Sequence, residues 1–424
     1  MMKRSLYLIL LCVPLFWGSL AALAQETNEL RFLCFNEGNE CEIYADLLSR
    51  FSQENPDIAV AVEVMDGADI ESHLSEAVDT GDGPDIARVA DYRAFAGRYL
   101  DLRPLLADAG AFAGGFQPPF LEAMRAGAGD GLHGFPDAAA MVAPFVNISL
   151  FEQAGVSLPG AGSSWDDWLK ALEAVALATG TPYLLAVDNK DHRLVGPAMS
   201  LGARYFDENG ALTLADADGL REFLEILNQL KAAGRTPSDT LLGTGKSQAY
   251  FVRGETLMYV CGSWKVEEVA AQVGADFDWT IVANPSGPGG QTGVVKAAAL
   301  VALKGSAHPE AAARVVEYLS QPALIAEFSA RTLTVPAHLE VAASTIDYAT
   351  DNESIAAALN AFAREVPKLQ DQAIALDLHP LASVYYEASN TYLRGYFAGE
   401  TSLDEALAGI KARLTGTTQS DEER

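Results

Sequence analysis

The chain has 424 residues, with 29 Lys and Arg against 57 Asp and Glu and a net charge of −28. That field repels nucleic acid and anionic membrane surfaces, and no compact basic run offsets it, so nucleic-acid binding is excluded. The length accommodates two domains, each with a core of its own.

The first residues read as a targeting segment. Lys3 and Arg4 precede an apolar run over 6–20, and Ala22-Leu23-Ala24 supplies the small residues needed for cleavage before Gln25. A signal peptide over 1–24 and export to the periplasm are therefore expected. The run is short and broken by Pro14 and Gly18, which argues against a retained anchor. Ile9, Leu10 and Leu11 are too large for the approach to a lipoprotein cysteine at Cys12.

Residues 30–35 read as a strand. From Cys41 onward, Ile43, Tyr44, Leu47, Leu48 and Phe51 recur at helical spacing until Asn55-Pro56 stops the helix. Residues 58–65 read as a second strand. Ile70, Leu74, Ala77 and Val78 mark a helix ended by Gly81, and 85–90 reads as a third strand. This alternation predicts an α/β fold, with mostly parallel sheets flanked by helices. Cys34, in the first strand, and Cys41, opening the next helix, bracket a short polar loop. In an exported chain this spacing predicts a disulfide that pins 36–39.

Further along, Ser164 and Asp167 form a capping-box start for a helix whose inner face carries Trp165, Trp168, Leu169 and Leu172. Asp218 is expected to cap another, with Leu220, Phe223, Leu224 and Leu227 inward. Residues 256–262 and 279–283 read as strands, and Cys261 within the first as a buried free thiol. Residues 294–303 read as one buried strand, and Pro309 opens a helix. The last third is mostly helical, closing with Ser402-x-x-Glu405 and a frayed tail from Thr417.

Several motifs recur in an ordered set: Arg50-Phe51-x-x-Glu54-Asn55-Pro56; Gly81-Asp82-Gly83-Pro84-Asp85; Gly134-Phe135-Pro136; and Phe145-Val146-Asn147. They continue with Leu150-Phe151-Glu152-Gln153-Ala154-Gly155, Ser164-Trp165-Asp166-Asp167, Phe251-x-x-Gly254-Glu255, Gly262-Ser263-Trp264 and Val335-Pro336-Ala337. In this order the chain resembles the maltose-binding-protein-like extracellular solute-binding proteins of ABC importers. The resemblance implies a two-lobed periplasmic-binding-protein fold with multiple hinge crossings. It implies lobe one at 25–142 plus 293–340 and lobe two at 143–292 plus 341–424. It also implies capture of a sugar, as a monomer, for delivery to a membrane permease. The family's usual Tyr-Asn after the lobe crossing reads Val146-Asn147 here, and a glutamate of maltose binders falls on Ala140, which points away from maltose itself.

In open α/β sheets ligands bind beyond the carboxyl ends of strands. The loop after the first strand offers Asn36 and Glu37, whose amide and carboxylate can pair with sugar hydroxyls; the plainer alternative is a merely solvated loop. The loop after the third strand offers Asp91, Tyr92 and Arg93, an acceptor, an aromatic face and a donor fork; the alternative is a structural ion pair. Trp264 stands where an apolar strand meets a new helix, and in the resembled family a tryptophan at the matching place stacks on the ligand; the plainer alternative is core packing. Further candidates are Asp188 with His192, Tyr205 and Phe206 beside Asp207, and Arg331 before Pro336. Trp165 and Trp168, on an apolar helix face, belong to the core.

Enzyme signatures are wanting. Gly245-Lys246-Ser247 ends like a phosphate-binding loop, but Thr240 occupies the place of its first glycine. The six histidines are scattered with no His-Glu-x-x-His, and no Gly-x-Ser-x-Gly occurs. No catalytic residue, metal or cofactor is assigned. Carboxylates are abundant enough to leave a periplasmic glycosidase or lyase as an alternative, beside a binder of another polar solute such as a glycerophospho-compound.

Overall fold

The computed structural model describes residues 27–67, 69–80, 83–92, 95, 97–125 and 129–422. The signal peptide with its cleavage point, the helix end at Gly81, and Arg93 lie outside the described residues. Twelve strands occur among those described. They are β1 (Asn28–Phe35), β2 (Ile58–Met65), β3 (Ile86–Val89), β4 (Gly134–Pro136), β5 (Ala140–Asn147) and β6 (Tyr183–Ala186). The others are β7 (Arg204–Phe206), β8 (Leu212–Asp216), β9 (Thr256–Gly262), β10 (Trp279–Ile281), β11 (Val295–Lys296) and β12 (Ala299–Ala302).

Two five-stranded sheets carry the fold, each flanked by helices. One runs β2-β1-β3-β12-β4; the other runs β10-β5-β9-β6, with β11 attached to β5. In each sheet four of the five strands share one direction, as expected of a mostly parallel sheet, and one runs against them. β1 is parallel to β2 and β3, but β12 is antiparallel to both β3 and β4. In the second sheet only β6 and β9 pair in parallel. The reason lies in the crossings. β1, β3 and β4 run toward the space between the sheets, as do β6, β9 and β10. β5 and β12 enter their sheets from that space, so each runs away from it, against its neighbours.

The crossing also breaks the expected single strand over 294–303. Val295 and Lys296 pair with β5 of the second sheet, whereas Ala299–Ala302 pair with β3 and β4 of the first. Gly134 permits the close approach of β4, because a Cβ there would lie 1.8 Å from the Leu300 carbonyl oxygen.

Local signals account for most element ends. The helix Glu40–Glu54 stops at Asn55, and Ser164 and Asp167 make the reciprocal capping box of Trp165–Thr179. Ser402 and Glu405 cap the last helix in the same way. Two details differ. Asp218 is the first helical residue rather than the cap, its N–H donating to the Asp216 carboxylate. The last helix continues to Glu422 instead of fraying from Thr417. Along β5 and β9 the side chains alternate between two cores, as strand geometry requires. Phe145, Tyr259 and Cys261 join a core that runs on into the first sheet; Val142, Val146 and Val260 join a second one. Trp165 and Trp168 are buried in that second core. Trp279 stacks on Phe145, ring centroids 5.6 Å apart. Among the described residues no helix is long and apolar enough to cross a membrane.

Candidate functional site

A cleft of about 970 Å³ opens between the sheets. Its walls follow from strand direction: Glu37 after β1, Ala90–Tyr92 after β3, Ala138 and Ala139 after β4, and Ser263 and Trp264 after β9. The short link Lys296–Ala298 and the segment Thr332–Val335 complete one side. Asp377, His379 and Tyr386 enter from the helical last third.

Trp264 is an exposed aromatic residue of the cleft. Its side is 42% exposed although it adjoins the fully buried strand β9. The indole lies back across Gly262, where a Cβ would meet the ring at 1.9 Å, so only glycine allows this pose. His192 meets the ring edge-on at 5.3 Å, and the Ser263 hydroxyl accepts the Met141 N–H at 3.2 Å, tying the turn to β5.

The opposite wall is built around Arg88. This arginine interrupts β3 and is 2% exposed. Its Nε donates to Asp137 Oδ2 at 2.6 Å, Nη1 to the Phe35 carbonyl at 3.0 Å and Nη2 to Glu37 Oε2 at 3.3 Å. The guanidinium also stacks over the Phe35 ring at 4.3 Å. Asp137 Oδ2 accepts a second bond from the Tyr44 hydroxyl at 3.1 Å. Burial works against the Arg88 cation, but the charge of Asp137, with Tyr44 and Glu40, outweighs it and holds the arginine above its ordinary pKa.

The loop carrying Glu37 is fixed from several sides. Cys34 and Cys41 are joined by a disulfide, as their spacing predicts. Glu40 Oε2 accepts the N–H groups of Glu37 and Gly38, at 2.9 and 2.8 Å. Asn36 Oδ1 accepts the Cys41 N–H at 2.8 Å. Asn36 thus works as a local cap and does not line the cleft, whereas the Glu37 side chain is 70% exposed there.

The remaining candidates divide. Asp91 lines the cleft beside Tyr92. Asp188 is not part of the cleft lining; it accepts the Ser247 N–H at 2.7 Å and faces Arg193 at 3.3 Å. Tyr205 is wholly buried, its hydroxyl accepting from Tyr385 at 3.2 Å. Phe206 meets His379 edge-on at 5.6 Å and so braces a wall residue from behind. Arg331 turns outward to Asp46 and Glu327, at 2.5 and 3.0 Å, while its neighbours Thr332–Val335 line the cleft. Cys261 is buried and unpaired with any cysteine, its sulfur 3.2 Å from Arg193 Nη2.

Sequence reasoning missed Arg88, Asp137, Asp377, His379 and Tyr386. A lone charge inside an otherwise apolar strand was the available signal for Arg88. The last three stand between helices with no strand end to mark them. Tyr386 donates to Asp377 at 3.1 Å. Tyr92 was named, yet its role is clear only here. The residue is 1% exposed, and its hydroxyl has no hydrogen-bond partner among the described residues. Burial pushes the phenol well above its ordinary pKa, so it remains a donor.

A two-sheet α/β molecule with a deep, aromatic and carboxylate-lined cleft at its strand ends is built to enclose a small polar solute. The profile of the bacterial extracellular solute-binding proteins matches residues 46–357, and the chain belongs to that family, one of binders rather than enzymes. It is 23% identical over 299 residues to the lactose-binding protein of Rhizobium radiobacter, covering 67% of each chain. The sugar-binding protein MalE from Xanthomonas citri shares the fold with a TM-score of 0.74 at 20% identity, over 94% of this chain and 100% of that one. The cyclic alpha-maltosyl-1,6-maltose binding protein from Arthrobacter globiformis gives 0.73 at 18% identity, over 92% and 98%.

Proposed function

We propose that this protein captures a carbohydrate, a mono- or oligosaccharide, in the cleft between its sheets and delivers it to the permease of an ABC importer. It does so as a monomer in the periplasm after loss of the segment before Gln25. The lobes are taken as 25–142 plus 293–340 and 143–292 plus 341–424, a division supported by the sheet membership of the strands except at the crossings, where β11 and the first residues of β5 pair in the second sheet. The observation that carries the reading is Trp264. An exposed indole supplies the face on which sugar C–H groups stack, opposite carboxylates at Glu37 and Asp91 that accept from hydroxyls. The names of the similar proteins, a lactose-binding protein, a sugar-binding protein and a cyclic alpha-maltosyl-1,6-maltose binding protein, support the same class.

The test is a panel of lactose, maltotriose, arabinobiose, glucose, galactose, galacturonate and glycerophosphocholine, read by melting temperature and by recovery of the compound. A bound sugar stabilises by about 2.7 kcal/mol at a hundredfold excess over Kd and is returned unchanged. In Trp264→Ala, affinity for that sugar falls by about 2–4 kcal/mol, the range for a truncated aromatic anchor. The melting temperature of the free protein stays near the parent value. Binding of glycerophosphocholine alone, or an intact affinity in the variant, overturns the reading.

A further inference from the structure

Arg88 lines the cleft, yet all three of its guanidinium nitrogens are directed at groups of the protein. One cation thereby joins four pieces of the first lobe. It reaches the end of β1 through Phe35, the loop after β1 through Glu37, and the loop after β4 through Asp137. Through the shared Asp137 oxygen it reaches Tyr44 of the helix Glu40–Glu54. A group so committed has little left to offer a solute. Glu37 is its complement: the backbone is held by the disulfide and by Glu40, and the carboxylate alone projects into the cleft.

We infer that Arg88 is the positioning residue of this cleft, acting on the bound solute through Glu37 rather than by contact. The inference rests on the reading of the cleft as the solute site. Physically, an exposed glutamate samples many rotamers, and binding must select one of them. The Nη2–Oε2 bond selects it beforehand, so the carboxylate meets a hydroxyl already in place. Arginine serves where lysine does not, because the planar fork serves Asp137, Phe35 and Glu37 together, whereas an ammonium is a single point.

The experiment is a double-mutant cycle on the full chain, using the tightest-binding sugar of the panel above. Arg88→Lys keeps a cation for Asp137 but loses the fork, and affinity is expected to fall about tenfold, well inside the span of couplings between contacting residues. In a Glu37→Ala background the same change should cost less than twofold. Glu37→Asp gives a second reading that does not depend on the buried pair. It keeps the carboxylate, withdraws it from Arg88, leaves melting unchanged, and should also lose about tenfold in affinity. Equal losses from Arg88→Lys in both backgrounds, or parent affinity in Glu37→Asp, overturn the inference. Should Glu37→Ala bind normally while Trp264→Ala does not, Arg88 has no such role and the cleft reading stands. Normal binding by both variants removes the cleft reading itself.

Discussion

At the scale of single residues, charge placement separates what supports the fold from what serves the cleft. Asp101 belongs to the first kind. Its carboxylate takes Arg103 at 2.6 Å and the N–H groups of Arg103 and Leu132, while Asp130 holds the other side of the same arginine. The Arg103 side chain, with those backbone N–H groups, holds the Asp101 carboxyl well below the usual carboxylate range. A depressed folded pKa contributes stability that is present above the unfolded value, about 3.9, and lost as pH falls through the lower folded one. Asp101→Asn should therefore be less stable than the parent at pH 7, and the gap should be much smaller at about pH 2. Urea titrations at both pH values check this; a gap that does not change with pH removes the argument. The residue scale is also where sequence reading is weakest. Asn36 and Glu37 are adjacent and both polar, yet one is consumed by the Cys41 N–H and only the other reaches the cleft. No pattern in the sequence distinguishes them, because the difference is one of direction.

At the scale of elements, much more was legible. The strand 58–65, the helix stopped by Asn55 and the capping boxes at Ser164 and Ser402 stand where periodicity and cap chemistry put them. The break between β11 and β12 was hidden, since the apolar run is continuous and only its change of partner interrupts it. Strand ends located Glu37, Asp91 and Trp264 on the cleft. Asp377, His379 and Tyr386 arrive from helices, for which no comparable rule exists. The element most open to test is the loop between β1 and its helix. Replacing Cys34 and Cys41 by serine releases a closure that a chain-entropy treatment values at about 2–3 kcal/mol. Loss of that size in denaturant unfolding is expected, accompanied by weaker solute binding, because Glu37 rides on the loop. Mass mapping of an unreduced digest should find the two cysteine peptides joined and Cys261 alkylated only after unfolding.

At the scale of the whole molecule, the order of strands in space differs from their order in the chain. β12 lies between β3 and β4, yet every strand of the second sheet (β5, β6, β9, β10 and β11) precedes it in sequence. Pairings so distant in the chain form late, after long loops have been closed. A fragment of residues 25–142 lacks the strand that joins β3 to β4, and it should show little cooperative melting by circular dichroism and run expanded on gel filtration. A fragment extended through 340 should regain a folded first sheet; a compact, cooperatively melting 25–142 would refute this. The consequence concerns time rather than space. A chain emerging from its N-terminus cannot close its first sheet until residue 302 has been made, so the opening third remains unlocked while the rest is synthesised. In this arrangement the shape of the finished cleft also sets the schedule by which the polypeptide becomes rigid.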